Sequence, residues 1–595
     1  MENTSTWCSV AAFRRAAVGL GVAAGLVVLA TAAPRTVAPH FFPDDPLWVD
    51  DDQSRDASTV VPVDDSNLYD FLVNTFGRLT SRESVPAENV NSVDEVPNSS
   101  WFVNRIGRRD MSIDEIVRGT DRFDAMSIDG WQISGGKPSG VTPGFQMVDR
   151  DGHPYEIKFD PPDNPEMSTA AEIIGADFYH AFGYHTVDGY LAELDPERLT
   201  IRDGARIWDP LSGTKRRLDM RDIHDVLRRA ARQPNGKYRV LASRYADGKP
   251  LGNFRYYQQR PDDPNDLFPH ENRRELRGSR VFGAWLNHVD SRGINSLDML
   301  VENDRRSFIT HYMFDFGATL GSGTLTGQAR RVGNEYILEW KPGWLTLATL
   351  GLYTRPWMLI DYPKTPPAVG RFEATAFDPI KWKPEYPNPA FDSMRPDDAF
   401  WAARIVARFS DRAIRTVVEK ARYSDPLATE YVADTIIRRR DKVLACWLTQ
   451  VNPLVDFALS DRGELTFGNA AEQAGVATAA DAYRVQWAAF DNTTGIATGV
   501  GAPVTVSEPR GEAPAALLAP GPTEQFVQVS IAAIHPKFPT WATPVTVHFR
   551  RGAGGQPWKL VGLVRLPDDR RTPNRVTTSA DGPRAVHSAA GKNDK

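Results

Sequence analysis

The chain has 595 residues, with 70 Lys and Arg against 76 Asp and Glu, and a net charge of −6. That length exceeds one ordinary core and points to several domains. The slight acidity excludes a general nucleic-acid binder, which needs a basic face, and two cysteines, Cys8 and Cys446, exclude a disulfide framework.

Residues 1–33 read as a signal peptide or membrane anchor. Arg14 and Arg15 precede an uncharged apolar run from Ala16 to Ala33 that ends in the small-x-small pattern Ala30-Thr31-Ala32. The run is also near the minimum length of a membrane span, so cleavage and retention both stay open. Arginines before it and acids after it (Asp44 to Asp56) place the body outside the cytoplasm. The expected location is periplasmic, extracellular or on the outer side of the membrane. Residues 34–125 form a tether and a short helical segment: 34–65 is rich in Pro and Asp, and Leu68 to Leu79 is amphipathic.

From Trp131 the pattern sharpens. Gly135, Gly136, Gly140 and Gly144 lie between a short apolar entry at Ile133 and a strand from Phe145. Glycine tolerates positive φ and lets a phosphate approach backbone N–H groups closely. Asp149-Arg-Asp-Gly152 predicts a hairpin turn, and Tyr155-Glu-Ile-Lys158-Phe159 a second strand with a lysine among apolar neighbours. A buried ammonium needs partners, which a phosphate and a carboxylate supply. Glu172, a lone acid in the apolar helix 165–182, is the natural mate.

A helix over 270–287 leads into His288-Val-Asp290 and Asn295, five residues after that aspartate. Two strands, 297–301 and 307–312, then lead to Asp315-Phe316-Gly317. Together these motifs resemble the small lobe, catalytic loop and metal-binding corner of a protein-kinase-like fold. The stretch 286–297 is similar to HipA-like and phosphoinositide-kinase-like proteins, the atypical branch. The resemblance implies an α+β fold: a two-lobed protein-kinase-like domain over 126–455 (small lobe about 126–250, large lobe about 251–455).

The resemblance also implies roles. Asp290 orients the acceptor hydroxyl. Lys158, held by Glu172, binds the phosphates of ATP or another nucleotide. Backbone around Gly135, Gly136, Gly140 and Gly144 covers them, and Asn295 and Asp315 offer oxygens to Mg²⁺. Val289 stands where ordinary kinases carry the arginine that reads a phosphorylated activation loop, no Ala-Pro-Glu follows Asp-Phe-Gly, and the glycine spacing is irregular. Hydrolase chemistry at Ser296 and His288 lacks a Gly-x-Ser-x-Gly elbow.

Residues 325–395 are rich in Pro and aromatics with few regular signals. Helices are expected over 397–421 and 426–448, with Cys446 packed inertly in the second, and with Arg273, Arg274 and Arg438 to Arg440 on solvated faces. Short alternating runs at Tyr483–Trp487, Phe526–Ser530, Val545–Phe549 and Trp558–Val564 predict an all-β sandwich-like domain over 456–567. The tail 568–595 reads as disordered. Two functions remain open. One is a phosphotransferase acting on an unknown hydroxyl acceptor. The other is a catalytically silent kinase-like binding or docking protein, which the scarcity of ATP outside bacterial cells would favour. Neither involves nucleic acid, and membrane contact is expected only through the N-terminal segment.

Overall fold

The computed structural model describes residues 38–566, apart from 78, 81–82, 121–127, 138–139 and 304. The N-terminal run and the tail therefore lie outside the described residues. Among the described residues, no helix is long and apolar enough to cross a membrane.

The described residues form an α+β architecture with four sheets. Helices α1 (Asn67–Phe76) and α2 (Ile113–Arg118) precede strands β1 (Gln132–Gly136), β2 (Gly144–Val148) and β3 (Pro154–Phe159). Then come α3 (Met167–Phe182), β4 (His185–Thr186), β5 (Gly189–Leu194), β6 (Thr200–Asp209), β7 (Thr214–Arg217), α4 (Met220–Leu227), β8 (Tyr238–Arg244) and β9 (Lys249–Gly252). Seven of these strands form one sheet in the order β5-β8-β3-β2-β1-β6-β7. Period-two alternation sets its faces: Tyr155, Ile157 and Phe159 of β3 enter a core with Ile223 and Val226 of α4. Lys158 therefore points to the opposite face, where α3 packs.

α3 is buried almost all round, as a helix apolar on every side must be. Its first turn is capped from a distance. The buried Asp160 carboxylate accepts the Ser168 and Thr169 N–H groups at 2.8 and 2.9 Å and the Thr169 hydroxyl at 2.6 Å.

Helix α5 (Arg274–Leu286) and the hairpin of β10 (Ser296–Glu302) and β11 (Ser307–Met313) follow. β10 and β11 pair without a slip from Ser296↔Met313 to Glu302↔Ser307. Their open ends thus bring Asn295 beside Phe314, whose N–H bonds the Asn295 carbonyl at 3.2 Å.

Next come α6 (Trp340–Ala348), α7 (Pro389–Asp392), α8 (Pro396–Ala407), α9 (Asp411–Lys420) and α10 (Pro426–Trp447). The single helix expected over 397–421 is two, because Ser410 caps α9 by accepting the Ala413 N–H at 3.1 Å. Cys446 is half-buried in α10, and burial pushes its thiol up to about 11.

The arginines expected on solvated faces are largely interior. Arg274 is buried against Asp94, Asp397 and Asp398, and Arg273 against Asp266. Arg439 bonds the Trp285 carbonyl at 2.8 Å. Acids, those of Arg274 more than a hundred positions away, or helix-end carbonyls make this burial tolerable.

The C-terminal part holds β12 (Leu454–Leu459), β13 (Glu464–Asn469), the short α11 (Ala470–Gln473), β14 (Ala482–Asp491), β15 (Ile496–Gly499), β16 (Val504–Val506), β17 (Arg510–Glu512), β18 (Gln525–Ile534), β19 (Val545–Arg551) and β20 (Lys559–Val564). They form a three-stranded sheet, β12-β13-β17, and a six-stranded one around β14-β18-β19-β20. Residues 38–65 are packed rather than free. Phe41 stacks on Phe526 of β18, and Ala57 and Val60 join Leu251, Leu300 and Ile309.

Candidate active site

Three pieces of chain meet around Lys158. β3 presents its ammonium away from the apolar core, directly opposite Gly144 in the β2–β3 ladder. From α3, Glu172 Oε2 lies 3.6 Å from Lys158 Nζ. From the turn after β11, Asp315 Oδ1 lies 2.9 Å away. The expected Lys158–Glu172 pair is thus an ion pair slightly beyond hydrogen-bond reach, and Asp315 takes the direct bond. Burial opposes the Lys158 charge, but the Asp315, Glu172 and Glu156 carboxylates outweigh it and hold its pKa well above the ordinary lysine range.

The Asp315 turn is held from behind. Asp315 is left-handed at φ 62°, a conformation short polar side chains tolerate better than most. Glu172 Oε1 accepts the Phe316 N–H at 3.0 Å, so one carboxylate serves both the lysine and the turn. Burial pushes Glu172 up, with the Asp315 charge adding to it. Burial also acts upward on Asp315, but Lys158, Lys137 and Arg292 outweigh it and hold that carboxyl below its usual value. The fully buried Phe316 ring sits 4.7 Å from Tyr179 and 5.4 Å from His288. A Cβ on Gly175 would lie 2.6 Å from Phe316 Cβ, so glycine is what lets α3 rest on this turn. The Tyr179 hydroxyl meets His288 Nδ1 at 2.9 Å, and burial pushes that imidazole down to about 3.

Asp290 and Asn295 occupy the loop between α5 and β10. Asn295 Nδ2 donates to the Asp290 carbonyl at 2.8 Å, closing the loop. Burial raises the Asp290 carboxyl, against the pull of Arg292 and a bond from Asn295, and the Asp315 charge raises it further. The Asp315 charge thus acts on Asp290 from the adjoining turn, which the Phe314 N–H ties to the Asn295 carbonyl. Asn295 and Asp315 both carry side-chain oxygens; the Asp315 side chain is 41% exposed, whereas Asn295 is buried. Oxygen donors of this type are the ligands Mg²⁺ takes.

The glycine loop is the turn joining β1 to β2, with Gly136 opposite Phe145. Gly140 is at φ 83°, and a Cβ on Gly144 would lie 2.3 Å from the Ile157 carbonyl. Gly135 and Gly136 serve packing instead: a Cβ on them would meet Gln146 and Ile207.

Two further cations belong here that the sequence patterns did not single out. Lys137, inside the glycine loop, reaches Glu156 at 3.8 Å and the Thr142 carbonyl at 3.4 Å. Burial lowers its pKa, and it senses Lys158, Asp315 and Glu172. Arg292 pairs with Asp290 through Nε and with Glu385 at 3.3 Å. Its signal was the spacing Asp290-Ser-Arg292, a cation two positions beyond the acid.

No family model matches the chain, and no curated protein matches it. Among solved structures it is similar to the Helicobacter pylori proinflammatory kinase CtkA, with 13% identity over 54% of this chain and 95% of that one, at a TM-score of 0.30. It is also similar to a golgi casein kinase, with 10% identity over 68% of this chain and 94% of that one, at a TM-score of 0.26. Likenesses at those TM-scores carry no argument, so the functional reading rests on the side chains.

Proposed function

We propose that this cleft binds a magnesium nucleotide, ATP or another, and transfers its terminal phosphoryl group to a hydroxyl acceptor. The observation that carries the reading is the junction at Asp315. There a lysine from the strand opposite the glycine loop, a glutamate from α3 and the Asp-Phe-Gly turn converge beside the Asp290 loop. Lys158 and Lys137 neutralise phosphate oxygens, and backbone N–H groups around Gly140 and Gly144 cover them. Asn295 and Asp315 would hold Mg²⁺, which neutralises phosphate charge when bound. Asp290, its pKa raised by burial, takes the acceptor's proton as the new oxygen–phosphorus bond forms and the nucleoside diphosphate leaves with the electrons of the broken bond. Arg292 is paired with Asp290 in the resting site and, in this reading, would turn onto the charge developing there.

In this reading residues 126–455 are a two-lobed kinase-like domain of the atypical, HipA-like or phosphoinositide-kinase-like branch. Residues 456–567 are a β-sandwich-like domain, and the first 33 residues export the protein. A second reading, a catalytically silent binding module, is favoured by the Asp290–Arg292 ion pair, which occupies the carboxylate needed as base. The test is a pair of variants. Asp315→Ala should abolish metal-dependent nucleotide binding. Asp290→Ala should leave binding largely intact and lower transfer, whereas equal loss of affinity in both contradicts these separate roles.

A further inference from the structure

The segment after the Asp-Phe-Gly turn leaves its apolar side chains in water. α6 buries none of its nine residues. Trp340 and Trp344, one turn apart, are 57% and 65% exposed, Leu347 on the same face 70%, and beyond the helix Leu350 and Leu352 are 93% and 85% exposed. Scattered exposed leucines are ordinary, but a contiguous apolar patch marks an interaction surface. The patch continues onto α1: the Phe76 ring lies 6.1 Å from Trp340, and Leu68, Leu72 and Phe76 form an exposed stripe one turn apart. The inner side of α1 rests on the catalytic loop. Asp70 accepts from the Tyr386 hydroxyl at 2.5 Å, and a Cβ on Gly293 would lie 3.4 Å from Asp70 Oδ1. The patch therefore flanks the loop that carries Asp290.

We infer that this face docks on an anionic lipid bilayer, with α6 and the 350–352 turn entering the headgroup region. Three observations favour a bilayer. Tryptophans beside leucines are the composition that settles at a membrane interface. The segment that forms the rim is basic by sequence in an acidic protein: residues 329–364 hold five Lys and Arg against three Asp and Glu, with Arg355 paired to Glu335, while the whole chain carries −6. Arg330 lies at that rim, bonded to the Met358 carbonyl at 3.4 Å. The apolar run 16–33, where it is retained as an anchor, would also hold the folded body at a membrane. The docked face would present Asp290 to acceptors lying in or on that surface. Docking itself does not depend on nucleotide chemistry.

The test is hydrogen–deuterium exchange on the full-length chain, with and without vesicles of phosphatidylcholine and phosphatidylglycerol in equal parts. Its local readout separates this face from attachment through residues 16–33. The expected result is that peptides spanning 340–352 exchange about tenfold more slowly in the vesicle-bound chain. The protection should weaken on pure phosphatidylcholine and vanish in Leu350→Asp/Leu352→Asp, whose exposed positions leave the thermal midpoint unchanged. Vesicle-bound protein in which 340–352 exchanges as fast as in solution would overturn the proposal. So would protection that grows with protein concentration without lipid, which identifies a second copy. Protection already complete in the dilute, lipid-free chain would equally overturn it, since a segment of the chain itself would then cover the patch. Intact nucleotide binding alongside any of these failures would leave the kinase reading standing.

Discussion

Replacing Gly175 with alanine tests whether α3 sets the position of Asp315. The added methyl would lie 2.6 Å from Phe316 Cβ and 3.2 Å from Cγ, whereas carbons rest at roughly 3.5–4.0 Å. Neither side can yield freely, because Phe316 is fully buried between Tyr179 and His288 and α3 is enclosed on nearly every side. Overpacking of this kind costs about 1–3 kcal/mol, and the better helix propensity of alanine returns up to about 1 kcal/mol. The net loss of stability is therefore about 0–3 kcal/mol. The displaced turn carries Asp315, so Mg²⁺-dependent nucleotide affinity should fall by about tenfold or more, beyond what the stability loss explains. Titration calorimetry with matched urea denaturation reads both quantities, and Gly499→Ala, with nothing nearer than 3.8 Å, is the control. Unchanged affinity and an unchanged denaturation midpoint in Gly175→Ala would refute the reasoning.

Other substitutions separate the two duties of Glu172. Glu172→Gln keeps an acceptor for the Phe316 N–H but removes a charge from Lys158, so affinity should drop while stability holds within about 1 kcal/mol, Asp315 remaining as partner. Glu172→Ala loses both and should cost about 1–3 kcal/mol more, through the orphaned N–H; equal stabilities in urea would contradict the double role. Acid should weaken the fold through buried histidines. Burial pushes His288 down to about 3 and His185 down to about 4, so each stays neutral when folded but takes a proton once unfolded. The stability they carry is complete above pH 6.5, the ordinary histidine value, and is lost as pH falls from there toward about 3. His288→Gln should reduce that loss by about one proton, roughly 1.4 kcal/mol per pH unit, and parallel stability–pH curves for variant and wild type would exclude it.

The site was legible where chemistry is local. Asp315-Phe-Gly and the Asp290–Asn295 spacing are short patterns. Lys158 and Glu172 stood out because each is a charge in an apolar stretch, which burial without a partner forbids. Their convergence was less visible, since it depends on the slip-free β10–β11 register that sets Asn295 beside Phe314. Lys137 escaped notice because a lysine in a Gly/Pro turn looks solvated, and Arg292 because its role depends on Asp290 two positions earlier. Arg274 and Arg439 read as surface because their partners are distant in sequence, and Arg273 because the burial of nearby Asp266 leaves no mark in the pattern. In the fold, alternation located the C-terminal strands, while the continuing apolar period across Phe409 hid the break that Ser410 makes. Composition suggested a tether for 34–65, yet a few apolar residues, Phe41, Ala57 and Val60, are enough to pin its described part, 38–65.

The most direct measurement of the central claim is a nucleotide titration of the wild-type chain with Mg²⁺ and again with the metal chelated. The account predicts saturable binding that requires the metal, because it assigns the metal to Asn295 and Asp315 and the phosphates to Lys158. No binding, or binding that chelation leaves unchanged, would contradict it.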